Sequence, residues 1–150
     1  MKKTIFTVLL VFLLGGYVAT FSSVSSGFDD SAKGEAAITE KSISLLEGKW
    51  SGCRIVTMKN GQKIEKDTDL EIKTSASGKP VTGTFIFYSR LRGTLQKDFS
   101  GYIKNGRLWI REETENYCHL ILWRENDSWE IRGEEKNPTV NFISYRFFRK

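Results

Sequence analysis

Short runs in which apolar and polar residues alternate fill the chain from about residue 45 to its end. In residues 69–73, Leu70 and Ile72 alternate with charged residues, and residues 107–113 repeat the pattern. A period of two is typical of a β-strand with one buried face and one face in water. Runs of this kind predict about eight strands, at 50–57, 69–73, 82–88, 97–103, 107–113, 117–124, 129–132 and 140–149.

Turn-forming residues separate these runs. Asn60-Gly61 and Asn105-Gly106 suit the tight turns of β-hairpins, and residues 125–127 form a further turn. No amphipathic helix interrupts the series. We therefore predict an all-β fold, an antiparallel up-and-down β-barrel of about eight strands, whose closure would remove exposed sheet edges.

The N-terminus has the layout of a secretory signal peptide. Lys2 and Lys3 precede residues 5–14, which are apolar except for Thr7, and small residues follow. We predict a signal peptide over 1–22 and a secreted or periplasmic bacterial protein. The alternative is a membrane anchor formed by residues 5–21, which would export the rest of the chain equally.

Composition changes again between the leader and the strands. Residues 23–44 are rich in Ser, Gly and charged residues and have few large apolar ones. Such a segment buries too little surface to offset the entropy of ordering it. We predict a flexible linker over 23–44 and one barrel domain over 45–150.

The distribution of charge along the chain limits the classes of molecule that it could bind. The formal net charge is +5, but the basic residues are scattered among acidic ones rather than gathered on one element. A nucleic-acid-binding protein concentrates its positive charge. We therefore expect no nucleic-acid partner, and a monomeric exported domain.

Two cysteines, Cys53 and Cys118, occur in a chain expected to reach an oxidising compartment. Such compartments favour pairing, so we predict a Cys53–Cys118 disulfide; two buried free thiols are the alternative. In an eight-strand barrel the bond would have to cross the interior or tie strand ends at a rim.

Residues suited to catalysis or metal binding are sparse. His119 is the only histidine, and its neighbour Cys118 points to the opposite face of the same predicted strand. The carboxylates Glu112, Glu113 and Glu115 lie near a hairpin turn, where solvated side chains are usual. We expect no enzymatic activity, no metal site and no cofactor.

One short motif resembles a known family. Gly48-Lys49-Trp50, at the start of the first strand, resembles the G-x-W opening of lipocalins and related calycin barrels. In that family the Trp plugs one end of the barrel and a basic residue of the last strand covers it. The resemblance implies that Trp50 closes the barrel beneath Arg146 or Arg149.

A second string, residues 81–85, resembles the T-G-T-Y of avidin-type barrels. At the positions that bind biotin in that family, this chain has Gly52, Val56, Phe85 and Phe87. None of them offers a hydroxyl or amide to a ligand carbonyl. We therefore expect no biotin binding.

These observations leave two hypotheses for function. The first is an exported binding protein that holds a small apolar ligand in the barrel. The second is an envelope protein–protein interaction or inhibitor module that acts through surface aromatic and basic residues. A hollow interior would favour the first hypothesis and a packed interior the second, and we favour a packed interior. The candidate binding residues are Trp109, Trp123, Tyr102 and Tyr88.

Overall fold

The computed structural model describes residues 33–75 and 80–150. The predicted signal peptide and residues 23–32 of the predicted linker lie outside the described residues. Within the described part, nine strands and a single 3₁₀ turn, Ile43–Leu46, make up the regular structure, which confirms the all-β prediction. The strands are β1 (Gly34–Ala36), β2 (Gly48–Thr57), β3 (Lys63–Lys73), β4 (Val81–Ser89), β5 (Gly93–Lys104), β6 (Arg107–Glu113), β7 (Asn116–Glu125), β8 (Ser128–Lys136) and β9 (Phe142–Arg149).

Eight of these strands form the barrel. From β2 to β9 each strand pairs antiparallel with the next one along the chain, and β9 pairs back with β2. This is the predicted up-and-down topology. The ninth strand, β1, lies outside the series and pairs with the C-terminal end of β7.

Three strands are several residues longer than their sequence pattern predicted. β3 begins at Lys63 rather than residue 69, β5 begins at Gly93 rather than residue 97, and β8 ends at Lys136 rather than residue 132. Residues 93–98 are exposed on both faces of β5. Both faces of this segment meet water, so its side chains do not alternate between apolar and polar. The sequence pattern therefore did not reveal that the backbone here pairs as a strand.

The packed core fills one end of the barrel, which we call the closed end. Trp50 and Phe147 are its largest fully buried side chains. The 3₁₀ turn contributes Leu46, and the inward faces of the strands supply further aliphatic residues, namely Leu70, Ile72, Val81, Leu108, Leu120, Leu122 and Ile131. The strands therefore meet around a solid hydrophobic layer at this end.

The segment before residue 45 also packs on the barrel. β1 pairs with residues 122–124, the amide of Ile38 donates to the carbonyl of Gly106 at 2.9 Å, and the Ile38 side chain is buried. The packed unit therefore extends N-terminal of the domain start that the composition suggested. The composition did not reveal this packing, because only a few isolated apolar residues make the contacts.

The predicted Cys53–Cys118 disulfide is wrong: both cysteines are free. Trp50 points into the barrel, so the alternation along β2 turns Cys53 outward, whereas Cys118 is buried on the inner face of β7. The two thiols therefore lie on opposite sides of the barrel wall. The prediction was wrong because it considered only the oxidising compartment and not the strand face on which each cysteine lies.

Candidate functional site

A cavity of about 240 Å³ occupies the barrel interior beyond the packed core. Phe85, Phe87, Phe99 and Ile110 give it an apolar wall. Polar side chains complete the lining, principally Lys97, Arg111, Cys118, Glu135 and Tyr145. The interior is thus packed at the closed end and hollow at the other, so the expectation of a packed interior holds for one end only.

The cavity exists because β5 and β6 separate. They share three residue pairs, from Tyr102↔Trp109 to Lys104↔Arg107, and then diverge. On its other side β6 has a register shift between Trp109 and Arg111 where it pairs with β7. A bulge of this kind bends a strand and redirects a side chain, here bringing Arg111 opposite Cys118.

Aromatic rings form the continuous wall of the cavity. The Phe85 ring centroid lies 5.2 Å from that of Phe99, 5.3 Å from that of Tyr145 and 5.9 Å from that of Phe87. Gly83 makes room for Phe99, since a Cβ at Gly83 would lie 2.5 Å from the Phe99 ring. The wall is therefore rigid and suited to flat apolar groups.

A buried polar network crosses the cavity lining. Glu135 accepts hydrogen bonds from Arg111 Nη2 and from the Tyr145 hydroxyl, each at 2.5 Å. Burial, and then the nearby Glu135 carboxylate, raise the pKa of Tyr145, so its hydroxyl stays protonated and donates. Burial likewise raises the pKa of Cys118 to about 12, which keeps that thiol neutral.

A second guanidinium, that of Arg54, lies against a residue of the cavity wall and has no acidic partner in the described part of the chain. Arg54 has the same strand parity as Trp50, and its guanidinium carbon lies 4.1 Å from the centroid of the Phe87 ring. Among the described residues no hydrogen-bond acceptor reaches the buried Nε of Arg54 or of Arg111. These two donors therefore remain available inside the barrel.

At the closed end, the structure places Arg149 rather than Arg146 over Trp50. The guanidinium carbon of Arg149 is 4.8 Å from the Trp50 ring centroid, and its Nη2 donates to the Leu45 carbonyl at 2.5 Å. The Trp50 indole N–H donates to the Leu46 carbonyl at 2.9 Å. Arg146 lies on the outer face, where it pairs with Glu130 at 2.9 Å.

The four candidate surface aromatics do not form one patch. Tyr102 and Trp109 are neighbours across β5 and β6, whereas Tyr88 lies on β4 and donates to Asp69 at 2.6 Å. The Trp123 ring is covered by the guanidinium of Arg132, 3.8 Å from its centroid.

His119 lies on the outer face of β7, away from the cavity. Its ring centroid is 4.9 Å from that of Trp109, and its Nε2 is 3.3 Å from Arg107 Nη1. Burial first, and then the charge of Arg107, lower the pKa of His119. Cys118 faces the cavity, so these sequence neighbours contact different groups.

The three glutamates that are close in sequence, Glu112, Glu113 and Glu115, do not form a cluster in the structure. Glu112 accepts from Tyr102 and Lys104, Glu115 pairs with Lys136 at 2.6 Å, and Glu113 is exposed. In residues 33–75 and 80–150 no cluster of three or more acidic, His or Cys side chains could hold a metal ion. The same residues include no helix of the length and apolarity that crossing a membrane requires.

Sequence reasoning missed the charged residues inside the barrel. Strand parity from Trp50 places Arg54 inward, and parity from Ile131 does the same for Glu135. That signal was readable in the sequence. Arg111 was not predictable in this way, because the bulge in β6 shifts it out of the simple alternation.

The strand pairing and the cavity define a closed antiparallel eight-stranded barrel with a hollow, partly charged interior. No protein family and no curated protein matches the chain. Among solved structures, it resembles a protein of unknown function of the DUF3598 family from Nostoc punctiforme, with a TM-score of 0.46 and 12% sequence identity. The match covers 77% of this chain and 51% of that one, so the chain spans about half the length of that protein.

Proposed function

We propose that this chain is an exported, non-enzymatic binding protein that holds a small apolar ligand inside its barrel. The observation that carries the proposal is the interior cavity of about 240 Å³ with its wall of contacting aromatic rings. Small-molecule sites are typically concave and mostly apolar, with a few polar groups that fix orientation. This cavity is concave and combines an apolar aromatic wall with polar groups that could fix the orientation of a ligand.

Cavity size limits the ligand class. A cavity of roughly 150 Å³ lined by apolar side chains binds a single benzene ring. At about 240 Å³, with one open side between β5 and β6, the site suits a ligand of one or two rings or a short hydrocarbon chain. The same opening supplies the route of entry.

Export is part of the proposal and rests on the signal-peptide pattern of residues 1–22. The monomeric state is also proposed, since the eight barrel strands are closed by their own pairing. The alternative function, an envelope interaction module, has less support, because its candidate aromatics are separated or covered by charged side chains.

A neutral fluorescent probe tests the proposal. We expect 1-naphthylamine, a neutral fluorophore of two rings, to bind one-to-one, with the emission change of a probe that enters an apolar site. Ile110→Trp should fill the cavity and abolish the signal, because a packed site cannot accept the added volume. The matched control is Ile121→Trp, which places the same ring on the outer face of β7 and should leave binding intact.

Absence of probe binding to the wild-type protein would overturn the proposal. Equal binding by wild type and Ile110→Trp would place the site elsewhere on the molecule.

A further inference from the structure

We infer that the ligand carries an anionic group, a carboxylate in the simplest case, and that Arg54 and Arg111 bind it. This inference rests on the proposed function, since it concerns the same cavity. It names the chemical class of the ligand as a small amphipathic acid: an apolar body against the aromatic wall and a negative charge at the two guanidinium groups.

The charges inside the barrel are not balanced. Arg54 has no acidic partner among the described residues, and both oxygens of Glu135 are already engaged, one by Arg111 and the other by Tyr145. Asp98 also lines the cavity, but it is exposed and accepts a hydrogen bond from Thr84 at 2.6 Å. One positive charge in the interior is therefore left without a counter-charge.

An unpaired guanidinium in this half-buried position is energetically costly. A guanidinium removed from water is normally paired with an acid or a bound anion, because desolvating an unpaired charge is expensive. The buried Nε of Arg54 and the buried Nε of Arg111 both lack an acceptor in the described part of the chain. A ligand anion would supply the missing acceptors.

Arg54 and Arg111 are both positioned at the cavity wall. Arg54 lies over the Phe87 ring and is the register partner of Tyr145 across β2 and β9, and both of these residues line the cavity. Arg111 lines the cavity directly, and Lys97 adds a third cation at the exposed side. The planar fork of a guanidinium matches the two oxygens of a carboxylate.

The test compares two ligands of the same shape, naphthoate and the neutral naphthamide, by isothermal titration calorimetry. We expect the wild-type protein to bind naphthoate at least about tenfold more tightly, the ratio that one charge-assisted hydrogen bond supports. Arg54→Met should remove this preference while naphthamide binding stays unchanged. Lys49→Met, which removes one positive charge from the outer surface at the closed end, should retain the preference.

The outcomes separate the two proposals. Equal affinity of the wild-type protein for both compounds overturns the anionic inference and leaves the apolar binding site standing. Binding of neither compound overturns the proposed function and the inference with it. Arg54→Lys is a second variant that keeps the positive charge but loses the planar guanidinium. We expect it to retain part of the preference for naphthoate. A preference as strong as that of the wild-type protein in both Arg54→Met and Arg54→Lys would overturn the role of Arg54.

Discussion

At the scale of single residues, the face on which a side chain lies decides its role. Glu130 points outward from β8 yet is 3% exposed, because Arg132 and Arg146 lie over it and pair with it. This pairing holds Arg146 on the outer surface. Arg149, three residues further along the chain, is the register partner of Trp50 and reaches the closed end instead.

His119 predicts a pH dependence of stability. Because its pKa is lowered in the folded protein, the unfolded chain binds more protons between that lowered pKa and the usual value of about 6.5. We expect the contribution of His119 to the free energy of unfolding to be constant between about pH 7 and 7.5 and to fall as pH decreases below about 6.5. Denaturant unfolding between about pH 7.5 and 5 measures this change.

The control for this prediction is His119→Gln, which cannot be protonated. Its stability should vary less with pH over the same interval. A wild-type curve that matches the variant would show that His119 is not protected from protonation in the fold.

The cysteines predict a pattern of thiol reactivity. Both thiols should react with an alkylating reagent in unfolded protein without any reductant, because no disulfide joins them. In the folded protein Cys118 should react far more slowly than Cys53, since it is buried and its pKa is raised to about 12. Mass spectrometry of alkylated peptides distinguishes the two sites. If neither cysteine reacted in the unfolded, non-reduced protein, a disulfide would join them after all.

At the scale of elements, β5 is the strand that shapes the site. It pairs with β4 from Gly93 to Gly101, but with β6 only from Tyr102 to Lys104. The N-terminal part of β5 therefore has one bonded edge and one open edge. The cavity opens at this edge, and Lys97, Phe99 and their neighbours reach it from there.

This open edge predicts a pattern of hydrogen exchange. Along residues 94–101, the amides directed toward β4 should be protected and those directed toward β6 should exchange rapidly. Residues 68–72 of β3, which pair with both β2 and β4, provide the internal control. Amide exchange followed by NMR tests this expectation, and uniform protection along β5 would mean that its pairing with β6 continues beyond Tyr102.

At the scale of the whole molecule, the barrel has one closed and one open end. The closed end brings together the 3₁₀ turn, the Trp50 ring and Arg149, with the packed aliphatic layer above them. The open end has long, exposed hairpins around the cavity. Stability and binding are therefore located at opposite ends of one structure.

Trp50 predicts the energetic contribution of the closed end. Trp50→Ala should lower the free energy of unfolding by about 3–5 kcal/mol, the range for truncating a fully buried aromatic side chain. Phe148→Ala, on the outer face of β9 and 46% exposed, is the control and should cost less than about 1 kcal/mol. Chemical denaturation measures both, and an equal loss in the two variants would mean that Trp50 does not close the barrel.

Much of the fold was accessible from sequence because its signals are local. Alternation in residues 69–73 and 107–113, and the Asn-Gly turns, predict strands and hairpins without reference to any distant residue. The candidate site was less accessible, since its residues come from several strands and its charged members resemble surface residues in composition. The disulfide expectation failed for the same reason, because it joined two distant residues without knowing their faces.

The sequence by itself determined the strand order and the up-and-down topology, because short turns leave each strand only its neighbour to pair with. Only the tertiary structure decided where the barrel is solid and where it is hollow. That outcome depends on the β6 bulge and on the point where β5 and β6 separate, both of which follow from packing around the whole barrel. The tertiary structure also decided that Arg54 and Arg111 face inward beside an aromatic wall. The role of a charged side chain depends on the residues that surround it, and these come from distant parts of the chain.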